Sequence, residues 1–389
     1  MIPAFDSASL APDPVLPFRD RLLDDAWTSA TLSLAAAQGA GDGLRFRRIR
    51  SKYQYGSSLR VLYAATSPGA SAPILLSLRA GPSGGGAAAY ETALRRAEAR
   101  PTLKPAGWLV KADAVYWRFP CDRKLAGLDR FVEGTGPLAE LLGARCRTSL
   151  AAYAPERSAT VQCMDGVRPL GFAKMMLDPE TAERCIVAAR LCEQAAAGSG
   201  LRLPRVLAAD GQHRILVVER LPGRTVSELR GAPALAAVGA LGEALAELHG
   251  LALPSGIPGF DRTACPQLRH AASVIAGVRP DVAGPVGRLL DRLLDEKPDE
   301  EGAEVCLHGD VHPKNALWGD GHVGLIDLDQ AARGPAVCDL ASFIAASVAA
   351  SCASWPFPGG RDAVSPFLAG YAKRRPLPSL ASLRWHTAA

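Results

Sequence analysis

The chain has 389 residues, 48% of them hydrophobic and 21% charged, which is too long for one ordinary domain and apolar enough for two or three real cores, so overall disorder is excluded. With 44 Lys and Arg against 39 Asp and Glu the formal charge is only +5, and the cations are mostly Arg scattered along the chain, so a nucleic-acid-binding surface gets no support. Nine cysteines, an odd number with no Cys-x-x-Cys pair, point to a reducing compartment without structural zinc.

The first twenty residues are rich in Pro, Asp and Ser and read as an extended lead-in. They carry neither the basic end nor the apolar core of a signal peptide. No uninterrupted apolar run in the chain reaches about eighteen residues, so a cytoplasmic protein without a membrane span is expected. Residues 19–38 set Leu22, Leu23, Ala26, Leu32 and Leu34 among charges, which predicts one amphipathic helix before a plain glycine loop, Gly39 to Gly43. Strand patterns follow over 53–63 and 73–78, then a helix over Tyr90 to Ala99 and a strand over Val115 to Pro120.

A hundred residues on, the same order returns. Tyr53, Ser58 and Val61 face Tyr153, Ser158 and Val161 at an offset of 100, Pro73 faces Pro169 at 96, and Val115 faces Val217 at 102. Offsets that agree so closely predict an internal duplication of a strand, strand, helix, strand unit. The second helix is expected over Pro179 to Ala197, where Cys185 and Cys192 lie two turns apart and suit packing. The copies differ at one place of chemical weight. Lys174 ends the apolar strand Leu170-Gly-Phe-Ala of the second, where the 96-residue offset puts Leu78 in the first.

Ile215 to Pro222 reads as a buried strand running into a linker, whose last backbone groups are left unpaired. Beyond Gly223 the chain turns Ala- and Leu-rich, with helices expected over Leu235 to His249, Gln267 to Val278 and Val286 to Leu294, then an acidic turn over 295–301. Another helix is expected from Gly334-Pro335 through Ala349. A last helical pattern over 379–389 runs out uncapped, an ending that predicts a longer natural domain.

Between these helices, residues 305–329 hold His308, Asp310, His312, Asn315, Asp320, Asp327 and Asp329 between two short apolar runs. Val305 to Leu307 and Val323 to Ile326 read as strands of a hairpin-like unit, with Asp320-Gly321 as its tight turn. Asp310, Asn315 five residues on, and an Asp after an apolar strand form the set that kinase-type phosphoryl transfer needs. One carboxylate takes the proton of the attacking hydroxyl, while an amide oxygen and a second carboxylate hold magnesium against the phosphates. Oxygen ligands suit that hard cation. The chain has no Gly-Lys-Ser or Gly-Lys-Thr phosphate loop and no Gly-x-Gly-x-x-Gly.

The run His308-Gly-Asp310-x-His312-x-x-Asn315, followed by Ile326-Asp327-x-Asp329, resembles the aminoglycoside phosphotransferase-like family of small-molecule kinases. The resemblance covers residues 144–389. It implies an α+β, protein-kinase-like two-lobed fold, a small antiparallel sheet lobe plus a mainly helical C-lobe, here with an extra degenerate N-terminal copy of the small lobe. The expected divisions are 1–43, an extension and helix; 44–140, the degenerate copy; 141–222, the nucleotide-binding lobe; and 223–389, the catalytic helical lobe. ATP is the implied donor, Mg2+ the implied metal, and a hydroxyl of a small sugar, amino sugar or amino alcohol the implied acceptor.

By the same resemblance Asp310 is the base, Asn315 and Asp327 hold the metal, and Lys174 pairs the phosphates. A Glu of the following helix would brace Lys174, with Glu193 preferred to Glu183. The turn Ala154 to Ser158 stands where the nucleotide-covering loop belongs, offering the Ser158 hydroxyl, and Glu219 and Leu221 would hold adenine through their backbones. His308 and His312 would shape the loop, and Asp329 would meet a metal-bound water, the acceptor or a neighbouring loop. Asp339 would brace the loop or cap its helix, and His249 would cap its own.

Family members place the acceptor against regions that here correspond to 251–300 and 340–389. Those stretches have few carboxylates beyond Asp261, Asp281, Asp291, Asp362 and the acidic turn, so a metabolic or cell-envelope hydroxyl is expected before a polycationic antibiotic. Maltokinase-like members also carry an N-terminal cap, which admits a sugar acceptor. The rival reading is a nucleotide-binding pseudokinase whose duplicated lobe serves as a partner-binding scaffold. A monomer or homodimer is expected.

Overall fold

The structure is a computed structural model, and it describes residues 10–36, 44–69, 72–97, 105–253, 255–260, 265–298, 302–352 and 358–389. The glycine loop 39–43, Asp261 and the tip of the acidic turn lie outside the described residues.

Asp24 divides the expected N-terminal helix into α1 (Arg19–Leu23) and α2 (Asp25–Ala36). Its carboxylate accepts the amides of Ala26 and Trp27 at 2.9 and 3.1 Å and so starts a new helix. Next come β1 (Arg45–Gln54), β2 (Ser58–Thr66), β3 (Ile74–Ala80), α3 (Gly86–Ala97), β4 (Ala106–Leu109) and β5 (Ala114–Arg118). The strands make an antiparallel sheet in the order β1-β2-β3-β5-β4. The chain then repeats this plan with α4 (Leu128–Val132), α5 (Pro137–Leu142), β6 (Arg147–Ala154), β7 (Ser158–Asp165), β8 (Arg168–Met176), α6 (Pro179–Ala196), β9 (Val206–Asp210) and β10 (Ile215–Glu219). The second sheet is also antiparallel, in the order β6-β7-β8-β10-β9.

The two sheets share their register. Gln54 pairs with Ser58 as Ala154 pairs with Ser158, and Leu59 pairs with Ala80 as Ala159 pairs with Met175. Arg60 pairs with Arg79 as Thr160 pairs with Lys174. The residue at the lattice place of Lys174 is therefore Arg79, and the 96-residue offset that pointed to Leu78 is one residue out. A slip of one moves a side chain to the other face: Leu78 is buried against Leu22 and Leu32 of α1 and α2, while Arg79 looks the opposite way.

One face of the second sheet, with Ala159, Val161, Cys163 and Ala173, packs on Leu128, Phe131 and Leu138 of α4 and α5. The opposite faces carry α3 on the first sheet, through Ala93, Val115 and Trp117, and α6 on the second, through Cys185, Ile186 and Leu216. Because α4 and α5 belong to the second core, the packing divides near Cys121 rather than at residue 140. Leu62 of β2 lies in the second core and joins the two units.

The remaining elements are β11 (Arg224–Thr225), α7 (Gly231–Gly250), α8 (Cys265–Val278), α9 (Ala283–Asp295), β12 (Glu304–Leu307), β13 (Ala316–Gly319), β14 (His322–Leu325), β15 (Ala332–Pro335), α10 (Val337–Cys352), α11 (Val364–Ala372) and α12 (Leu380–Ala388). Asp320 and Gly321, both at positive φ, join β13 to β14, and the expected partner Val305 to Leu307 pairs with β15 instead. The four-residue strands β13 and β15 carry Gly or Pro at their ends, which masks them in the sequence.

Among the described residues α7 is long and apolar enough to cross a membrane. Its place in the fold accounts for that composition, since Val238, Leu241, Leu245 and Leu248 are buried with Phe343 and Phe367 in the core of the lobe. A Cβ on Gly242 would run into the Phe367 carbonyl, and one on Gly370 into the carbonyl of Gly239, so α7 and α11 touch backbone to backbone. Gly370→Ala is accordingly expected to cost about 1–3 kcal/mol, read as a lower urea midpoint at unchanged slope.

Candidate active site

The buried strand β12 delivers His308 and Gly309 onto the carboxylate of Asp339, which accepts their amides at 2.7 and 2.9 Å. Gly309 has φ +78°, and a Cβ there would strike the Gln330 carbonyl, so only glycine fits this bend. The His308 Nε2–H donates to the Ile326 carbonyl at 3.1 Å, tying the loop to the exit of β14. Asp310 follows, half-buried, and Asn315 Nδ2 donates to its carbonyl and to its Oδ2 at 3.0 and 3.1 Å. The Ile326 amide donates to the Asn315 carbonyl at 3.0 Å, which places Asp327, in the left-handed region at φ 64°, beside Asn315. Asp310 and Asn315 are thus bonded to each other, and Asp327 lies next to Asn315's backbone partner.

Lys174 reaches this cluster from the second sheet. Its ammonium donates to Asp327 Oδ1 at 2.8 Å and to Asp329 Oδ2. Although Asp327 keeps contact with solvent, the walls around it would push its carboxyl up. The Lys174 charge and hydrogen bond, with His308 behind them, hold it below the usual carboxylate range. Burial lifts the Asp329 carboxyl, since the opposing pull of Lys174 is offset by the charge on Asp327. Burial draws the ammonium down, but the two carboxylates overcome it and leave Lys174 firmly protonated. His312 is held below its ordinary value, first by burial and then by Lys314, against the pull of Asp310. Its Nδ1 accepts the Lys314 amide at 3.0 Å, so the ring closes the loop's turn.

Glu193 does not brace Lys174, which corrects the expectation. Its carboxylate accepts the Val206 amide at 3.0 Å and ties α6 to β9. The residues of α6 that face inward are Ala182, Cys185, Ile186, Ala188, Cys192 and Ala196, a phase that leaves Glu183 and Glu193 off the stripe. The α6 residue beside the cluster is Cys185, whose thiol donates to the Asp329 carbonyl at 3.8 Å and is pushed up to about 12 by burial. The carboxylates that meet the Lys174 ammonium come instead from Asp327 and Asp329. Ser158 opens β7, half-buried. Glu219 does not leave its amide free: the amide donates to the Arg205 carbonyl at 2.8 Å, and the Glu219 side chain pairs with Arg205 at 2.9 Å. Leu221 lies two residues past the last ladder position, in contact range of Gly324.

The brace beneath the loop is larger than the sequence suggested. Asp339 lies in the first turn of α10 but turns its carboxylate to the loop instead of capping the helix. It also meets His249 Nε2 at 3.1 Å, and His249 Nδ1 meets the Tyr371 hydroxyl at 3.0 Å. His249 is therefore a buried link between α7, α10 and α11, not a helix cap. Burial would raise the Asp339 carboxyl, but His249 and the charge of His308 with its amide hold it low, while burial pushes the Tyr371 hydroxyl up. Tyr371 gives no signal in the sequence, because nothing local distinguishes it from a core aromatic.

With both amide hydrogens of Asn315 spent on Asp310, its Oδ1 remains as an acceptor, and Asp327 follows the residue whose amide bonds the Asn315 carbonyl. Two hard oxygen donors are what magnesium takes from a protein when it shares phosphate and water ligands, so the residues present fit that ion.

No curated protein matches the sequence. Among solved structures, an aminoglycoside-3'-phosphotransferase of type VIII is 24% identical over 62% of this chain and 92% of its own, with a TM-score of 0.48. An aminoglycoside phosphotransferase from Streptomyces rimosus is 20% identical over 68% of this chain and 94% of its own, at 0.46. A macrolide 2'-phosphotransferase from Brachybacterium faecium is 19% identical over 67% and 88%, at 0.44. The model of the phosphotransferase enzyme family matches residues 172–386, more than half of the chain, and spans Lys174, the catalytic-type loop and the Asp339 brace alike. By that match the chain belongs to the phosphotransferase enzyme family.

Proposed function

We propose that the protein transfers the γ-phosphoryl group of ATP to a hydroxyl of a small molecule. The observation that carries this reading is the meeting of Asp310, Asn315 and Asp327 with Lys174 from the opposite lobe, its Nζ 2.8 Å from Asp327. Asp310 orients the acceptor hydroxyl and takes its proton. Lys174 binds the phosphates, and Asn315 and Asp327 hold the metal. Magnesium, when bound, neutralises charge on the transferring group. His308, His312 and Asp339 fix the loop, and the turn 154–158 with Ser158 covers the nucleotide, whose base rests at the strand end near Glu219 and Leu221. Family membership and the loop support this assignment of roles. The N-terminal unit is a degenerate second copy of the nucleotide lobe, a reading supported by the shared strand order and register.

A neutral sugar or a singly charged amino alcohol suits the helical lobe better than a polycation. Glu243, Glu247, Asp281, Glu296 and Glu304 are each taken by an Arg or Lys. The test is a screen of ATP consumption over sugars, amino sugars, amino alcohols and nucleosides. Acceptor-dependent ADP release supports the reading. Nucleotide binding without turnover on any acceptor would favour the scaffold.

Lys174→Met is expected to weaken ATP binding and to let the Asp327 carboxyl titrate higher, because the attraction that depresses it is gone. Isothermal titration with ATP and carboxyl-carbon NMR titration check the two effects separately.

A further inference from the structure

The turn between β6 and β7 is built unlike its counterpart in the first sheet. Each turn is held by an aspartate that accepts a tyrosine hydroxyl and a turn amide: Asp13 from Tyr53 and Gly56 at 2.7 and 3.0 Å, Asp122 from Tyr153 and Glu156 at 2.6 and 2.9 Å. In both, the same backbone position is left-handed, φ 64° at Gly56 and 61° at Glu156. Glycine takes that conformation freely, whereas a glutamate there is strained, and such strain persists only where the surroundings enforce it.

What enforces it is the Glu156 side chain, 3% exposed. It accepts from Arg123 Nε and Nη2 at 2.7 and 2.8 Å and from Arg79 Nη1 at 3.1 Å, with Arg60 Nη1 at 3.6 Å. Arg60 and Arg79 belong to the first sheet, and Arg79 occupies the lattice place that Lys174 has in the second. Lys174 meets the Asp327 and Asp329 carboxylates of the helical lobe below it; Arg79 meets the Glu156 carboxylate of the unit below it. A buried carboxylate with forked arginine partners is a rigid join, because a lone buried charge is so unfavourable.

We propose that the first sheet is a converted nucleotide lobe whose lysine-equivalent cation, Arg79, holds through Glu156 the turn that covers the nucleotide in the second sheet. Glu156 is thereby a positioning residue, and the N-terminal unit keeps the turn in its nucleotide-competent conformation. This rests on the nucleotide-covering role given to the turn above. A turn held in the competent conformation only a tenth of the time would bind nucleotide about tenfold more weakly, since apparent affinity scales with the competent fraction.

The experiment compares the full-length chain with Glu156→Gln, Arg79→Met and Arg79→Lys, measuring ATP KM and kcat with an acceptor from the screen, ATP affinity, and amide hydrogen exchange over 154–158. Glu156→Gln and Arg79→Met are expected to raise the ATP KM and dissociation constant about tenfold with kcat unchanged, and to speed exchange in the turn but not in β8. Arg79→Lys keeps the charge and is expected to recover most of the affinity. Wild-type ATP affinity and exchange in folded Arg79→Met would overturn the proposal, and that variant decides the matter should Glu156→Gln not fold. A wild-type chain that binds no nucleotide would remove the functional reading, while faster exchange in both variants would still sustain the clamp and unchanged exchange would end it.

Discussion

Asp310→Asn is expected to lower kcat by about 100- to 10,000-fold, the range lost when a positioned general base is removed. Affinity for ATP should stay near the wild-type value. The reason is geometric. Asn is the same size and can still present an oxygen to Asn315 Nδ2, which now bonds Asp310 Oδ2 at 3.1 Å, so the loop keeps its shape, but an amide cannot take the hydroxyl proton. Lys174, Asp327 and Asp329 make no contact that the substitution alters. Steady-state kinetics with the screened acceptor and titration with ATP separate the two expectations. Asp310→Ala is a useful second variant, because it also frees Asn315 and should weaken metal-dependent ATP binding. Equal turnover by Asp310→Asn and the wild type would take the base role away from Asp310.

Asp339→Asn is expected to carry the largest stability loss, about 3–5 kcal/mol, because buried loop amides lose a charged acceptor at about 1–3 kcal/mol each, with more for a charged partner. The Asp339 carboxylate accepts two loop amides and faces His249, and the amide group would turn hydrogens toward at least one of those donors. The pH dependence follows in sign. Asp339 is held below its ordinary 3.8 in the folded protein, so its contribution is fully present above that unfolded-state value and is lost as pH falls through the lower folded one. Urea unfolding at neutral pH should therefore show the full gap between variant and wild type. Below pH 3.8 the gap should narrow as the wild-type carboxylate protonates. A gap independent of pH would mean that the carboxylate charge does no work in the brace. Because His308 and Gly309 lose their anchor, turnover should fall with stability, whereas Tyr371→Phe, which removes a single outer hydrogen bond, should affect both far less.

The identity of the clustered polar side chains was legible in one dimension. Asp310, Asn315, Asp327 and Asp329 lie within twenty residues of one another, so their types and spacing survive as a local pattern. The helices α6 to α10 were legible for a similar reason, because hydrophobic periodicity is written residue by residue, whereas the strand expected over 53–63 runs across the turn that joins β1 to β2. The repeat was visible too, although the offsets of 96 and 102 were each off by one from the register. A single-residue error is enough to exchange Arg79 for Leu78 and hide the cation at the place of Lys174.

What only the folded chain decided were the contacts across long separations: Lys174 with Asp327 and Asp329 instead of Glu193, Asp339 with His249 and Tyr371, and Glu156 with Arg60 and Arg79. Each joins residues from different elements, and the side chains involved look like ordinary surface charges or core aromatics where they stand in the sequence. The sequence by itself therefore determined which side chains the loop carries and most of the helices that surround it. The tertiary structure decided which cation meets which carboxylate, because that choice depends on helix phase and strand register, and a shift of one residue in either turns a side chain away from its partner.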